Sequence, residues 1–275
     1  MSSPTTVQRP LSTTVPEARG RRIPLDGWVL AGIVCAATAI LIGIASTGVD
    51  LRYFLQPTAA WIVLGGTFGV TLITTPRSSL SQAMRRVSRI LWQPQTNREE
   101  LVNEILSYIR IARVRGTLAI EPHIGEASNE FLREMLTLLI DLKSRSEFKE
   151  ALETKLRLRE RQGDADAKVL EVAGGFAPAI GVIGTVVGLI DVLRQFSNMN
   201  SVALGIGTAF VSTMYGLALA NLFLLPAAHR IRASVAETFE LEEMIVEGGL
   251  CLIDGIHPSL VRERLNGFLR QDAAK

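Results

Sequence analysis

The sequence predicts an all-α membrane protein, with four transmembrane helices and a helical cytoplasmic domain between spans two and three. Three observations predict it. Four apolar stretches are each about long enough to cross the ~30 Å hydrocarbon core of a bilayer as a helix. Arginines gather at alternate ends of these stretches, as the positive-inside rule requires. No stretch of any length alternates polar and apolar residues as a half-buried strand does. Composition agrees: 48% of the chain is hydrophobic, yet 20% is charged, which suits a membrane protein with a substantial water-exposed part.

The chain opens on a polar stretch of about 22 residues rich in Pro, Ser and Thr, expected to be disordered. It does not read as a cleaved signal peptide, because the apolar run starts late and is too long. The first span is 26–47, DGWVLAGIVCAATAILIGIAST, preceded by Arg19, Arg21 and Arg22, so its N-terminal end is cytoplasmic. The short loop that follows holds Arg52 as its only base. The second span, 57–75, is PTAAWIVLGGTFGVTLITT, and Arg77, Arg85, Arg86 and Arg89 come after it. That end is inside as well.

A water-exposed helical section follows. Asn97 with Glu100 three residues on is a helix-start signature. Leu101, Ile105, Tyr108, Ile109 and Ala112 then recur at helical spacing, and Gly116 ends the pattern. Phe131, Leu132, Met135, Leu139 and Leu142 mark a second amphipathic helix. A third, long and charged, runs over about 146–163 and is placed to lead on into the membrane. The third span is about 174–193 and the fourth about 206–228. Arg194 is the only base between them, while His229, Arg230 and Arg232 follow the fourth, so both termini are cytoplasmic. After it, Ile231, Val235, Thr238, Glu242, Ile245, Val246, Gly249 and Leu252 share a helix face, and Pro258 starts a last helix built on Val261, Leu265, Phe268 and Leu269.

These boundaries divide the chain into a disordered cytoplasmic N-terminus (1–25), a first membrane hairpin (26–75) and a cytoplasmic helical domain (76–172). A second membrane hairpin (173–228) and C-terminal cytoplasmic helices (229–275) complete it. Several function classes fall away. Formal charge is +2, with its basic excess beside the apolar spans, so there is no footprint for nucleic acid. Two cysteines, Cys35 and Cys251, and three scattered histidines offer no metal-ligand spacing. No Ser–His–Asp set or acid pair stands at a plausible position, so the chain reads as no enzyme and needs no cofactor.

The second hairpin is the informative part. Its spans carry no Asp, Glu, Lys or Arg at membrane depth, but many small residues and the hydroxyls Thr185, Thr208, Ser212 and Thr213. Lipid does not demand that composition, whereas close helix packing and a polar path do. Thr185, Ser212 and Thr213 are the groups best suited to line an ion path, because a hydroxyl oxygen replaces part of a cation's hydration shell. The plainer reading is that each bonds back to its own helix. Pro178 and Pro226 kink or end their spans, which shapes a gate or is simply what prolines do in membrane helices. Gly181, Gly184 and Gly188 have the wrong spacing and context for a phosphate loop and read as a packing face, as do Gly65, Gly66 and Gly69. Tyr215 and Asn221 read as packing, and Trp28, Trp61 and Trp92 as boundary aromatics.

Five segments carry a family resemblance: GGFAPAIGVIGTVVGL (174–189), AFVSTMYGLALANLFLLPAAHRIR (209–232), RVRGTLAIE (113–121), FLREMLTLLID (131–141) and EEMIVEGGLCLIDGIHPSLVRERLNGFL (242–269). Through them the chain resembles the flagellar stator A-subunit family (MotA and PomA), within the wider MotA/TolQ/ExbB group of ion-driven motors. The resemblance implies a pentamer around a single-span MotB/PomB-like subunit that carries a membrane aspartate. It implies inward flow of protons or sodium coupled to torque on the flagellar rotor switch protein, in the bacterial inner membrane. Pro178 and Pro226 match the family's prolines. Thr185, Ser212 and Thr213 match positions that bear on ion choice, where Thr-Ser-Thr departs from the sodium type once, which favours protons and leaves sodium open. Arg113 and Glu121 match the rotor-contact pair, with Arg110, Arg115 and Glu126 nearby. One point stands without the resemblance: the chain has no carboxylate at membrane depth, so if ions cross, a partner must supply the charged carrier. The alternatives are an ExbB/TolQ-like energiser of envelope transport, a stator-like channel for a system other than motility, and a passive scaffold.

Overall fold

The computed structural model describes residues 27–46, 48, 51–90, 97–142, 144–195, 197 and 199–273. The N-terminal 1–25 with Arg19, Arg21 and Arg22, and Trp92, lie outside the described residues, as do the side chains of Trp28, Arg52 and Arg89. Among the described residues the chain is helical throughout, with no strand. In order come α1 (Gly27–Ser46), a 3-10 turn (Leu51–Phe54), α2 (Pro57–Thr74), α3 (Arg77–Ile90) and α4 (Arg98–Arg115). A 3-10 segment (Thr117–Glu126), α5 (Glu130–Asp141), α6 (Arg145–Arg194) and α7 (Met199–Ala218) follow, then a π-turn (Leu219–Leu224), α8 (Leu225–Ile253) and α9 (Pro258–Ala273).

Local chemistry sets these ends. Asn97 caps α4, its side-chain oxygen accepting the Glu99 N–H at 3.1 Å while its side-chain amide donates to the Glu100 carboxylate, so the helix starts where the spacing predicts. Gly116 ends α4 at φ +86°, a conformation open to glycine. Asn129, a cap the sequence reading missed, accepts from both Phe131 and Leu132 N–H groups to open α5. Gly255, at φ +64°, closes α8: its N–H reaches Leu252 O at 3.1 Å and the Ile256 N–H reaches Cys251 O at 3.0 Å, which satisfies two terminal carbonyls.

Two compact units separate. The first gathers 97–154 with 240–273. Its core is Tyr108, Phe131, Leu132, Met135, Phe148, Leu152, Met244, Ile245, Val261 and Leu265 with their neighbours. Leu101, Ile105, Ile109 and Leu139 join it, as the helical spacing predicts. Glu104 is buried there with both oxygens used, accepting the N–H and hydroxyl of Ser128. Tyr108 donates to His123 O at 3.3 Å, and burial, reinforced by Glu104 and Glu126, pushes its phenol up to about 12.

The second unit gathers 27–90 with 155–239. Among the described residues three helices, Pro57–Thr74, Arg145–Arg194 and Ser201–Ile253, each contain an apolar window long enough to cross a membrane; α1 adds the shorter apolar stretch Val34–Ser46. Where the sequence separates a charged helix at 146–163 from a span at 174–193, the structure has one helix, α6. Gly163 does not interrupt it, and Val235 of α8 packs there in the space a Cβ would take. A small core of Ala167, Leu170, Ala228, Ile231 and Val235, with Val87 of α3 against it, joins the helices here. Beside it Arg86 pairs with the buried Asp166 at 2.8 Å. Of the face expected on α8, Thr238 is exposed, while Ile231, Val235, Glu242, Ile245, Val246, Gly249 and Leu252 are buried.

Candidate ion path between two helices

The approach of α6 to α7 begins with missing side chains. A Cβ on Gly181 would stand 3.0 Å from Ser212 O, and one on Gly188 would stand 2.8 Å from Ala209 N and 2.9 Å from Gly205 O. From the other side, a Cβ on Gly216 would stand 2.6 Å from Ala177 O. Gly184 is tighter still, since a Cβ there would run into both Oγ and Cβ of Ser212. At Gly181, Gly184 and Gly188, and at Gly205 and Gly216 of α7, the missing side chains leave room for the facing helix. In α2 only Gly66 makes such an approach, against Ile180 at 2.6 Å; Gly65 and Gly69 have nothing within 4 Å.

That closeness lets hydroxyls meet across the helices. Thr185 Oγ1 lies 2.5 Å from Thr213 Oγ1, 3.1 Å from Ala209 O and 3.2 Å from Gly181 O. One hydroxyl proton cannot donate to three oxygens at once. The cluster is thus a group of uncharged oxygens with spare lone pairs, the kind of donor set a small cation accepts when it sheds water. Ser212 is elsewhere. It is fully buried, turned toward Gly184, and its hydroxyl has no partner among the described residues. Thr208, one turn before Ser212 on the same face of α7, is bonded to Gln56 Oε1 at 3.2 Å. Tyr215 donates to Phe54 O at 2.5 Å, a tie between elements rather than simple packing.

The prolines act differently. Pro178 sits inside α6 without breaking it. Pro226 stands two residues past the end of the π-turn Leu219–Leu224, in the first turn of α8. Its missing N–H and its ring spoil the regular bond to the preceding turn, and the helix widens there. Asn221 Nδ2 donates to Leu217 O at 2.9 Å in that widened turn. Toward the α6 N-terminus, Arg232 pairs with Glu171, and Lys168 lies 3.5 Å from the same carboxylate. Neither this pair nor Arg86–Asp166 is legible in sequence, since each joins residues far apart in the chain. Arg113 and Glu121, with Arg110, Arg115 and Glu126, are all exposed on the first unit, and no ion pair joins Arg113 to Glu121 among the described residues. Among the described residues no group of His, Cys, Asp and Glu could hold a metal.

A model of the MotA/TolQ/ExbB proton channel family matches residues 123–244, and a model of the motility protein A N-terminal region matches 30–115. The chain is similar to motility protein A of Bacillus subtilis, 27% identical over 89% of this chain and 91% of that protein. It is similar to chemotaxis protein PomA of Vibrio alginolyticus, 24% identical over 90% of this chain and 96% of that one. Two solved structures share the fold. The C. jejuni MotAB structure gives a TM-score of 0.83 at 25% identity, covering 89% of this chain and 96% of that one. The flagellar MotAB stator complex of Bacillus subtilis gives 0.80 at 26% identity, covering 90% and 98%.

Proposed function

Because the chain belongs to the MotA/TolQ/ExbB proton channel family, we propose that it is the A-type subunit of a flagellar stator, coupling ion flow to rotation. The observation that carries this reading is the motility protein A type of likeness, which reaches through both membrane hairpins. The N-terminal match over 30–115 favours a motility subunit over an ExbB/TolQ-like energiser. The chain conducts and moves rather than catalyses, and needs no cofactor.

The finer reading follows the sequence. On this reading the chain has four spans, and the basic residues beside them put both termini in the cytoplasm of a bacterial inner-membrane protein. Exposed apolar residues on α6, among them Val182, Ile183, Val186 and Val187, suit contact with lipid, with further copies in a pentamer and with a MotB-like partner. That partner supplies the carboxylate these spans lack at membrane depth. A proton or sodium ion held on it passes the Thr185–Thr213 oxygens, while the glycine face lets α6 and α7 adjust without large side chains in the way. Arg113 and Glu121 meet the rotor switch protein through exposed charge, which favours fast and reversible engagement. A clean deletion of the gene tests the reading. Cells should build flagella, seen by microscopy, and fail to turn them; normal swimming in a strain with no second stator set would refute it.

A further inference from the structure

Glu171, Pro178 and Thr185 recur every seven residues along α6. Seven residues are about two turns, with a drift of roughly 20°, so the three share one face. Contacts fix where that face looks. Thr185 meets Ala209 and Thr213 of α7, a Cβ on Gly174 would stand 2.8 Å from Leu225, and Glu171 takes the guanidinium of Arg232 on α8. About 21 Å of helix separate Thr185 from Glu171, and no residue between them on α6 is ionisable. On the facing chain no carboxylate occurs between Thr213 and Arg232. Glu171 is therefore the first acid along this face on the way in. Its side chain is 18% exposed, between Arg232 at 45% and Lys168 at 67%. Asp166, one turn further, is 3% exposed and committed to Arg86.

We propose that Glu171 is the inner acceptor of the ion path, with Arg232 as the counter-ion that closes over it between passages. The proposal rests on the stator reading. An arriving monovalent cation, proton or sodium, binds a carboxylate oxygen in competition with the guanidinium. It then leaves to cytoplasmic water, and the Glu171–Arg232 contact re-forms with no bond otherwise made or broken. Lys168 limits how long the cation stays.

Low-load rotation of a bead on the flagellum tests this in cells carrying the full chain and its natural partner. One arm lowers cytoplasmic pH with a permeant weak acid and the other raises cytoplasmic sodium, each at constant ion-motive force. The wild type should slow in the arm of its own ion, because the exit site refills from inside. Glu171→Gln should rotate several-fold slower at neutral cytoplasmic pH and lose that dependence, whereas Arg232→Gln should keep it. Wild-type speed in Glu171→Gln, or a slowed motor with the wild-type cytoplasmic profile, would overturn the proposal. Should Glu171→Gln fail to assemble, Glu171→Asp decides: it retains the carboxylate and should keep the profile, and a flat profile overturns the idea. Failure of the stator reading shows separately, as unimpaired swimming in the deletion strain.

Discussion

Gly184→Ala probes how closely α6 and α7 approach. The added Cβ would stand 1.8 Å from Ser212 Oγ, 2.8 Å from Ser212 Cβ and 3.3 Å from Ile62 Cγ2. The serine hydroxyl can rotate away, but its Cβ cannot, so the helices must part by a few tenths of an ångström. Neighbouring contacts resist, because the Gly188 position already faces the Ala209 and Gly205 backbones. Overpacking of this kind costs about 1–3 kcal/mol. Replacing a helical glycine by alanine returns roughly 0.5–1 kcal/mol, so the net loss is about 0–2.5 kcal/mol. Gly267→Ala provides the reference: it lies on α9, exposed, with nothing within 4 Å, and should gain the propensity term alone. Unfolding midpoints of the purified chain with its partner should separate the two variants by the full clash. Adding Ser212→Gly, which removes both obstructing atoms, should abolish most of that separation. Equal shifts for Gly184→Ala and Gly267→Ala, or a cost unchanged by Ser212→Gly, would refute the packing argument.

Other expectations are briefer. Asn129→Ala removes the acceptor for two N–H groups at the start of α5 and should cost about 1 kcal/mol in denaturant unfolding, with Asn129→Ser recovering most of it. Asp166, which precedes the predicted third span, has its carboxyl raised above the ordinary 3.8 by burial, against the pull of Arg86. Its stabilisation is complete below that ordinary value and is lost as pH rises through the raised one. Asp166→Asn should therefore remove a loss of stability on raising pH, so that stability climbs more steeply with pH across this window, and an unchanged slope would count against the burial argument. Arg113→Glu should weaken rotor coupling, read as torque at high load, and a compensating charge on the rotor should restore part of it; unaltered torque would leave Arg113 as a solvated residue.

The parts legible in sequence are those set by local chemistry or by composition. Asn97 with Glu100, Gly116 and Pro258 mark helix ends through groups within a few residues, and the structure has all three. The apolar faces of α4 and α5 follow from spacing alone. The glycines of α6 were legible as a packing face because lipid gives no other reason for them. Their partners Gly205 and Gly216 follow only once α7 is laid against α6. The hydroxyls show the limit most plainly. Sequence groups Thr185, Ser212 and Thr213 together, yet adjacent positions on a helix point about 100° apart. Thr213 therefore reaches Thr185 while Ser212 turns to Gly184. Ion pairs such as Glu171–Arg232 were hidden because charge at a membrane edge is expected anyway, and pairing depends on tertiary contact.

The two units are held together by different means, and the difference bears on what each can do. The first has a core of large side chains, two asparagine caps and a fully bonded buried carboxylate, each of which fixes one arrangement. The contact of α6 with α7 has little of this. Its closeness comes from absent side chains, and in a bilayer such contacts rest on van der Waals packing and a few hydrogen bonds. The Thr185 hydroxyl has three oxygens within reach and one proton to give, so moving it between them leaves the number of bonds unchanged. Buried Ser212 brings no bond that would have to break. An interface that is close but weakly committed to one register is what a helix pair needs if it is to shift each time an ion passes. A tighter hydrogen-bonded seam would hold the same spans in place and stop them moving.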